Sequence, residues 1–313
     1  RMLLIFMVLL VIVSLLPACG AAENKAGAPE TKAVGTKPEA SGYPMQIVDS
    51  LGREIVIENE PQRIITMVPN LTEIVFALGR GDRLAGRTEY CDYPAEVTEI
   101  ASVGDLYNPN LEQIAALKPD LLLTSTNLSP ETLKKIEDLQ ITTVIVAEEE
   151  SFEGVYNSIR FIGKILNATA KAEEIVADMQ EKVDFVKQSV AGKEKPSVYY
   201  VIGYGKSGDY TAGRDTFIGQ LIEMAGGSNA AADTEKWQYS LERLLEKNPN
   251  ILICPQNFGY KEGLAVTNGY RDLDAVRNGQ VFEIDANLIE RHGPRLADGL
   301  LELARIIHPE IME

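Results

Sequence analysis

Short apolar runs alternate with amphipathic stretches along most of this chain. Val48 to Glu58 reads as a small hairpin turning at Leu51-Gly52, and the β-branched run Arg63 to Val68 as the first core strand. Asn70 with Glu73 three residues on is a capping-box pattern, which predicts a helix running to Leu78 and stopping at Gly79. Strands follow at Leu84–Thr88, Leu121–Thr124 and Thr142–Val146. Helices are predicted after Asn110, after Ser129-Pro130, and from Ser151 to Leu166. Alternating strand and helix predicts an α/β lobe with a mainly parallel sheet. The same grammar returns further on. Ser197–Ile202, Ile251–Cys254 and Val281–Ile284 read as strands. Helices are predicted over Phe217–Ala225, after Ser240, and from about Arg295, with Leu296, Leu300, Leu303 and Ile307 on one face.

Two stretches 130 residues apart repeat one another. Asn110 to Leu123 reads NLEQIAALKPDLLL and Ser240 to Ile253 reads SLERLLEKNPNILI. Each opens on an N-cap former, carries a Glu at the second helical position, breaks at a Pro and enters an apolar strand. One chain with two copies of a helix-to-strand unit predicts two similar lobes, with Glu112 and Glu242 at matching places. Between the lobes, Ala172, Ile175, Val176, Met179, Val183, Val186 and Val190 form one helical stripe over Thr169–Val190. That span is roughly 33 Å of helix. It is either one more surface helix or a rigid helix joining the lobes, and its central place favours the second.

The ends refine this layout. Met2 to Val13 is unbroken apolar sequence after one Arg, too short to span a bilayer comfortably and fitting a signal-peptide core. Leu16-Pro17-Ala18-Cys19 resembles a bacterial lipobox, which implies cleavage before Cys19 and a lipid on its sulfur; the alternative is a plain secretory peptide. Residues 20 to 43 hold few bulky apolar side chains and read as a flexible tether. The expected layout is signal peptide 1–18, tether 19–43, N-terminal lobe 44–166, linking helix 167–193 and C-terminal lobe 194–313. The protein would then sit outside the cell membrane, held by a lipid anchor only. The net charge of −16 argues against nucleic acid and against a body lying flat on anionic lipid. Cys91 and Cys254 fall in different lobes and are expected to be small apolar residues rather than a disulfide.

Enzyme-like motifs fail on context. Gly203-Tyr-Gly205-Lys-Ser-Gly208 has the spacing of a dinucleotide loop, but residues 209–213 continue as loop where a helix should begin. A P-loop would need Gly where Tyr200 stands, and a nucleophile elbow would need Gly where Asp209 stands. There are only two histidines, His292 and His308, and no metal-ligand cluster; His308, before Pro309 at a helix end, is expected to cap carbonyls. No catalytic residue, metal site or cofactor is expected.

Several segments together resemble the solute-binding lipoproteins of ABC importers with a helical backbone, the group that carries cobalamin, iron-siderophores and haem. They are Arg63 to Glu73 with Ala77-Leu78-Gly79, Gly86 to Pro94, and Val103-Gly104 through Pro119-Asp120. In the second lobe they are Gly226-Gly227 with Asn229, and Gly293-Pro294-Arg295 through His308-Pro309. The resemblance covers residues 45 to 310. It implies the class III periplasmic-binding-protein architecture, a monomer whose two lobes face each other across a shallow cleft. It also implies partnership with an ABC permease and its cytoplasmic ATPase, and a metal chelate as ligand. Glu112 and Glu242 match the acids that the family presents to permease arginines, although an acid near a helix N-terminus is also favoured by the dipole. Loops after the strands are the expected ligand site. The N-terminal lobe offers Asn70, Tyr90, Tyr93, Leu106, Tyr107 and Asn127. The C-terminal lobe offers Tyr204, Tyr210, Trp237, Tyr239, Gln256, Phe258, Arg291 and Arg295. Aromatic loop residues suit a large planar ligand. The segments Tyr90 to Pro94 and Asn108 to Glu112 look most like the cobalamin branch. A ferric siderophore remains open, with Arg291, Arg295, Lys206 and Arg87 as candidate cations, and so does haem, with Met67 and His292 as a conceivable axial pair.

Overall fold

The computed structural model describes residues 42–205 and 208–312. The signal peptide, Cys19 and nearly all of the tether lie outside the described residues, as do Lys206 and Ser207.

A hairpin of β1 (Met45–Val48) and β2 (Glu54–Ile57) opens the body, turning at Gly52 with φ +75°. Asp49 fixes this turn: its carboxylate accepts from the Leu51 and Arg53 amides at 3.0 Å and from the Ile145 amide at 3.3 Å. Burial opposes ionisation there, but the Arg53 guanidinium and these amides outweigh it and hold the carboxyl below its ordinary range. The chain continues through β3 (Ile64–Thr66), α1 (Pro69–Ala77), β4 (Leu84–Arg87), α2 (Leu111–Leu117), β5 (Leu121–Ser125), α3 (Pro130–Glu137), β6 (Thr143–Val146) and α4 (Phe152–Ile165). β3 to β6 make an all-parallel sheet in the order β4-β3-β5-β6. Every residue of β3, β5 and β6 is buried, as a sheet covered on both faces requires.

α5 (Thr169–Ser189) leads out of this lobe. It buries Ala172, Val176, Met179, Val183 and Val186 of the predicted stripe, leaves Ile175 and Val190 half-buried, and packs on α4 of the first lobe and on the last helix of the second. The second lobe runs β7 (Ser197–Tyr200), β8 (Asp209–Tyr210), α6 (Phe217–Met224), β9 (Ser228–Asn229), β10 (Gln238–Tyr239), α7 (Leu241–Lys247), β11 (Ile251–Pro255), α8 (Tyr260–Val266), α9 (Asp274–Arg277), β12 (Val281–Ile284), α10 (Ala286–Glu290) and α11 (Leu296–Ile307). Its parallel sheet has the order β9-β7-β11-β12. Counted along the chain, both sheets have their strands in the order second, first, third, fourth, so the lobes share one topology. One face of β7 and β11 (Val198, Tyr200, Ile251, Ile253) joins the core continuous with α5. The other face (Tyr199, Leu252, Cys254) packs into a second cluster with Tyr270 and Leu273.

The repeat units match closely. Asn110 Oδ1 accepts from the Gln113 amide at 3.0 Å and Ser240 Oγ from the Arg243 amide at 3.3 Å. Both helices leave through a left-handed residue, Lys118 (φ 46°) and Asn248 (φ 42°), ahead of the Pro. Three expectations change. Asn70 is not an N-cap: Pro69 takes the first helical position behind Val68, which makes no side-chain cap, and Glu73 is drawn elsewhere. Residues 209–210 are not loop but β8, which pairs antiparallel with β10. His308 reaches across to the Gly226 carbonyl at 3.1 Å, where Gly226 ends α6 with φ +84°, rather than closing its own helix. Cys91 and Cys254 are both buried, free thiols. No described helix is long and apolar enough to cross a membrane.

Candidate functional site: the cleft between the lobes

Ligands of open α/β sheets lie beyond the C-terminal ends of the strands. In this molecule those ends of the two sheets face one another across a cleft. A hollow of about 390 Å³ is lined by Ile202, Phe217, Ile218, Trp237 and Ile289 on the C-terminal side and by Glu148 and Glu150 on the N-terminal side. A second hollow of about 220 Å³ is lined by Pro69, Asn70, Asn287 and Arg291. Glu148, Glu290 and His292 border both, so the two hollows form one site. A larger surface hollow of about 410 Å³ lies wholly on the first lobe, between the hairpin and α4, away from the strand ends of the second sheet.

The polar groups of the cleft are set from behind. Asn127 Nδ2 donates to Glu148 Oε2 at 3.1 Å, and the Tyr200 hydroxyl, fully buried beneath the sheet end, donates to Glu290 Oε1 at 3.4 Å. Both residues are exposed at the cleft surface, yet neighbouring protein displaces part of the water around each carboxyl. Burial therefore pushes both above the ordinary carboxylate range, against the pull of Asn127 on Glu148 and of Tyr200 and Arg291 on Glu290. The His292 ring packs edge-on against Phe217 with centroids 5.0 Å apart. Burial pushes its basicity down, so the imidazole is neutral near pH 7. Its Nδ1 is buried with no hydrogen-bond partner among the described residues. A metal-binding His ordinarily donates its second ring N–H to an acceptor, and none holds His292.

Beside the cleft the lobes are bolted together. Glu73 on α1 is buried, and its carboxylate accepts from Arg291 Nη1 at 3.0 Å and from Arg295 Nε and Nη2 at 2.9 and 2.7 Å. Arg291 also reaches Asp92 at 2.6 Å and the Tyr90 carbonyl at 3.4 Å. The Arg295 guanidinium lies 3.7 Å over the Tyr93 ring.

The structure divides the predicted residues into groups. Asn70, Trp237 and Arg291 line the cleft, and Asn127 supports it through Glu148. Tyr90 and Tyr93 meet the two arginines beside it. Tyr107, Gln256 and Phe258 are exposed on loops, and Tyr210 is half-buried in the β8–β10 ribbon; none of the four lines either hollow. Tyr204 packs edge-on against Tyr260 and Tyr270. Tyr239 and Leu106 are corrections. Tyr239 is a core residue whose hydroxyl bonds Asp233 at 3.0 Å, and Leu106 is packed into the first lobe's core. The candidate cationic cluster is corrected too. Arg291 and Arg295 are committed to Glu73, while Arg87 donates to the Thr88, Val97 and Thr98 carbonyls within its own lobe. Met67 is fully buried, which removes it as an axial partner for His292. Glu112 and Glu242 are exposed and make no ion pair among the described residues. Sequence reasoning missed Glu148, Glu150, Glu290 and the Phe217–Ile218 wall. The strand-end rule would have reached the first two, which follow β6 directly.

Residues 64–288 match the model of the periplasmic binding protein family. The chain is 33% identical to the uncharacterised ABC transporter substrate-binding lipoprotein YvrC of Bacillus subtilis, over 98% of this chain and 97% of that protein. It is 27% identical to a cobalamin-binding protein of Halobacterium salinarum, over 86% of this chain and 75% of that one. Among solved structures it resembles a possible iron-binding, periplasmic solute-binding protein of Staphylococcus epidermidis. That match has 30% identity and a TM-score of 0.70 over 80% of this chain and 100% of that one.

Proposed function

The chain belongs to the periplasmic binding protein family, and from that premise we propose that it is the lipid-anchored, extracytoplasmic receptor of an ABC importer for a corrinoid. As a member of the family it is a solute-binding protein and not an enzyme. The observation that carries the choice of ligand is the make-up of the cleft. An aromatic and aliphatic wall on the second lobe stands beside carboxyls from both lobes, Glu148 and Glu150 from the first and Glu290 from the second, and the two nearby guanidiniums are paired with Glu73. A corrinoid presents a broad apolar face rimmed by carboxamides. The face suits Trp237, Phe217 and Ile289, and the rim can bond Asn70, Glu148, Glu290 and Asn287. A ferric catecholate is polyanionic and would meet Glu148, Glu150 and Glu290 with no unpaired cation among the described residues lining the cleft. Haem brings two carboxylates of its own and asks for an axial ligand, a role for which His292 has no orienting acceptor. An uncharged ferric hydroxamate is the second reading, because it too tolerates an acidic cleft; the similarity to the Staphylococcus epidermidis protein supports it. The cobalamin-binding relative supports the first.

Docking to the permease is assigned to Glu112 and Glu242, whose free carboxylates sit at equivalent places on the two lobes, and membrane attachment to Cys19. Trp237 is the sole Trp and lines the cleft, so its fluorescence reports the site directly. Titration of the folded body with cyanocobalamin, an uncharged ferric hydroxamate and haem is expected to quench it most tightly with cyanocobalamin. Tight hydroxamate binding with no response to cyanocobalamin would reverse the order.

A further inference from the structure

Arg291 borders the ligand cleft, yet its guanidinium is hydrogen-bonded to two acids, Glu73 and Asp92, that line neither hollow. Two acids, Glu73 and Asp92, balance two guanidiniums, Arg291 and Arg295, in one connected cluster. The acids are not equivalent. The Asp92 side chain is 55% exposed and touches only Arg291, whereas Glu73 is 2% exposed and binds both arginines. Glu73 does not itself line either hollow. Burying a carboxylate that deeply is costly unless it is fully paired, and both of its oxygens are.

We propose that Glu73 is a specificity-determining positioning residue, a buried counter-ion that withholds the Arg291 and Arg295 charges from the cleft and so restricts it to uncharged chelates. This rests on the reading of the protein as a chelate receptor. With Glu73 in place, the acids without an ion pair among the described residues lining the cleft are Glu148, Glu150 and Glu290, and a polyanionic chelate is repelled. Without it, two guanidiniums are left with Asp92 alone, and one of them already faces the hollow. The same sequence of loops then becomes an anion site through one change outside the ligand's reach. Because Glu73 sits on α1 and both arginines on the segment entering α11, the cluster also ties the charge of the cleft to the apposition of the lobes.

The test compares affinities for cyanocobalamin, an uncharged ferric hydroxamate and a polyanionic ferric tris-catecholate in the wild-type protein and in Glu73→Gln, Glu73→Asp and Asp92→Asn. Glu73→Gln is expected to raise catecholate affinity relative to the uncharged ligand by about tenfold or more, the scale of one unit charge acting across a partly shielded site. Asp92→Asn, which alters an exposed side chain, moves the ratio the same way by less and carries the test if the buried substitution does not fold. Glu73→Asp keeps the wild-type ratio. The gain should fade as salt is raised, which loss of packing alone would not produce. A ratio unchanged in variants that still bind overturns the proposal, as does an equal fall in affinity for all three ligands. Wild-type protein that binds none of the three overturns the chelate-receptor reading itself.

Discussion

The two lobes share a chain path but not a surface. Both sheets order their strands alike, and both repeat helices start on a side-chain cap and leave through a left-handed residue before Pro. Around that common frame the faces differ. The first lobe meets the cleft with Asn70, Glu148 and Glu150, reached by short turns from β3 and β6. The second meets it with the apolar Ile202, Phe217, Ile218, Trp237 and Ile289, most of them carried on the long excursion between β7 and α7, and with Asn287, Glu290, Arg291 and His292 on and just after α10. The duplicated features belong to the scaffold and to the proposed docking surface. The divergent ones line the cleft, where the second lobe supplies the apolar wall and both lobes supply hydrogen-bonding groups.

The docking half of this comparison breaks most visibly. Glu112→Lys with Glu242→Lys is expected to abolish permease-dependent uptake, while each single reversal lowers it on the order of tenfold. Ligand affinity should stay unchanged, because both residues lie outside the hollows. Uptake by whole cells and binding by the isolated protein, measured side by side, separate the two effects. Uptake that survives the double reversal would remove docking from the list of reasons why the acid recurs, leaving the favourable helix N-terminus as its explanation.

The asymmetry of the cleft walls sets the next scale. Trp237 is 44% exposed, so Trp237→Ala should leave the stability of the body nearly intact. Its loss removes the more exposed of the aromatic side chains, Trp237 and Phe217, that line the cleft and should weaken ligand binding by roughly 2 kcal/mol or more, in the range of buried aromatic anchors. Asn70→Ala, on the polar wall, should cost less than that. Calorimetric titration of both variants checks the ranking, and a larger loss at Asn70 would place the binding energy on the other lobe.

What was legible in the chain follows the range of the interactions. The caps at Asn110, Ser129, Ser151 and Ser240 and the apolar strands are local, and each reads from a few neighbouring residues. Glu73 shows the opposite case. Its spacing from Asn70 satisfies a local capping rule, but its partners stand 218 and 222 residues further along the chain, where no periodicity points. Glu148 and Glu150 sit in a run of three acids that looks like an ordinary solvated turn. Only the closeness of the second lobe turns it into a wall of the site. β8 and β10 are two residues each, shorter than any alternation can register.

The smallest effect concerns the charge of the cleft itself and has a definite sign. Glu148 and Glu290 have carboxyls raised above their ordinary value of 4.5, so the native protein keeps protons there that the unfolded chain has already released. More protons bound in the native state means that stability is lost as pH rises from about 4.5 through the raised values. The inter-lobe cluster acts the other way. At Asp92 burial opposes ionisation, but the Arg291 hydrogen bond and charge outweigh it, so its contribution is present above the ordinary value of 3.8 and is lost as pH falls. Around the two cleft glutamates stand Glu150 and Asn127 from the first lobe, and Arg291, His292, Tyr200 and Asp285 from the second. Glu148→Gln with Glu290→Gln should therefore flatten the fall in stability above pH 4.5 and leave in place the acid limb to which Asp92 and Asp49 contribute. The gain at neutral pH should stay under about 1 kcal/mol per site, because water reaches both carboxyls and screens them. Urea unfolding across a pH series measures this. A difference between variant and wild type that does not change with pH would mean burial at the cleft fails to perturb these carboxyls, and both would then be no more than solvated surface.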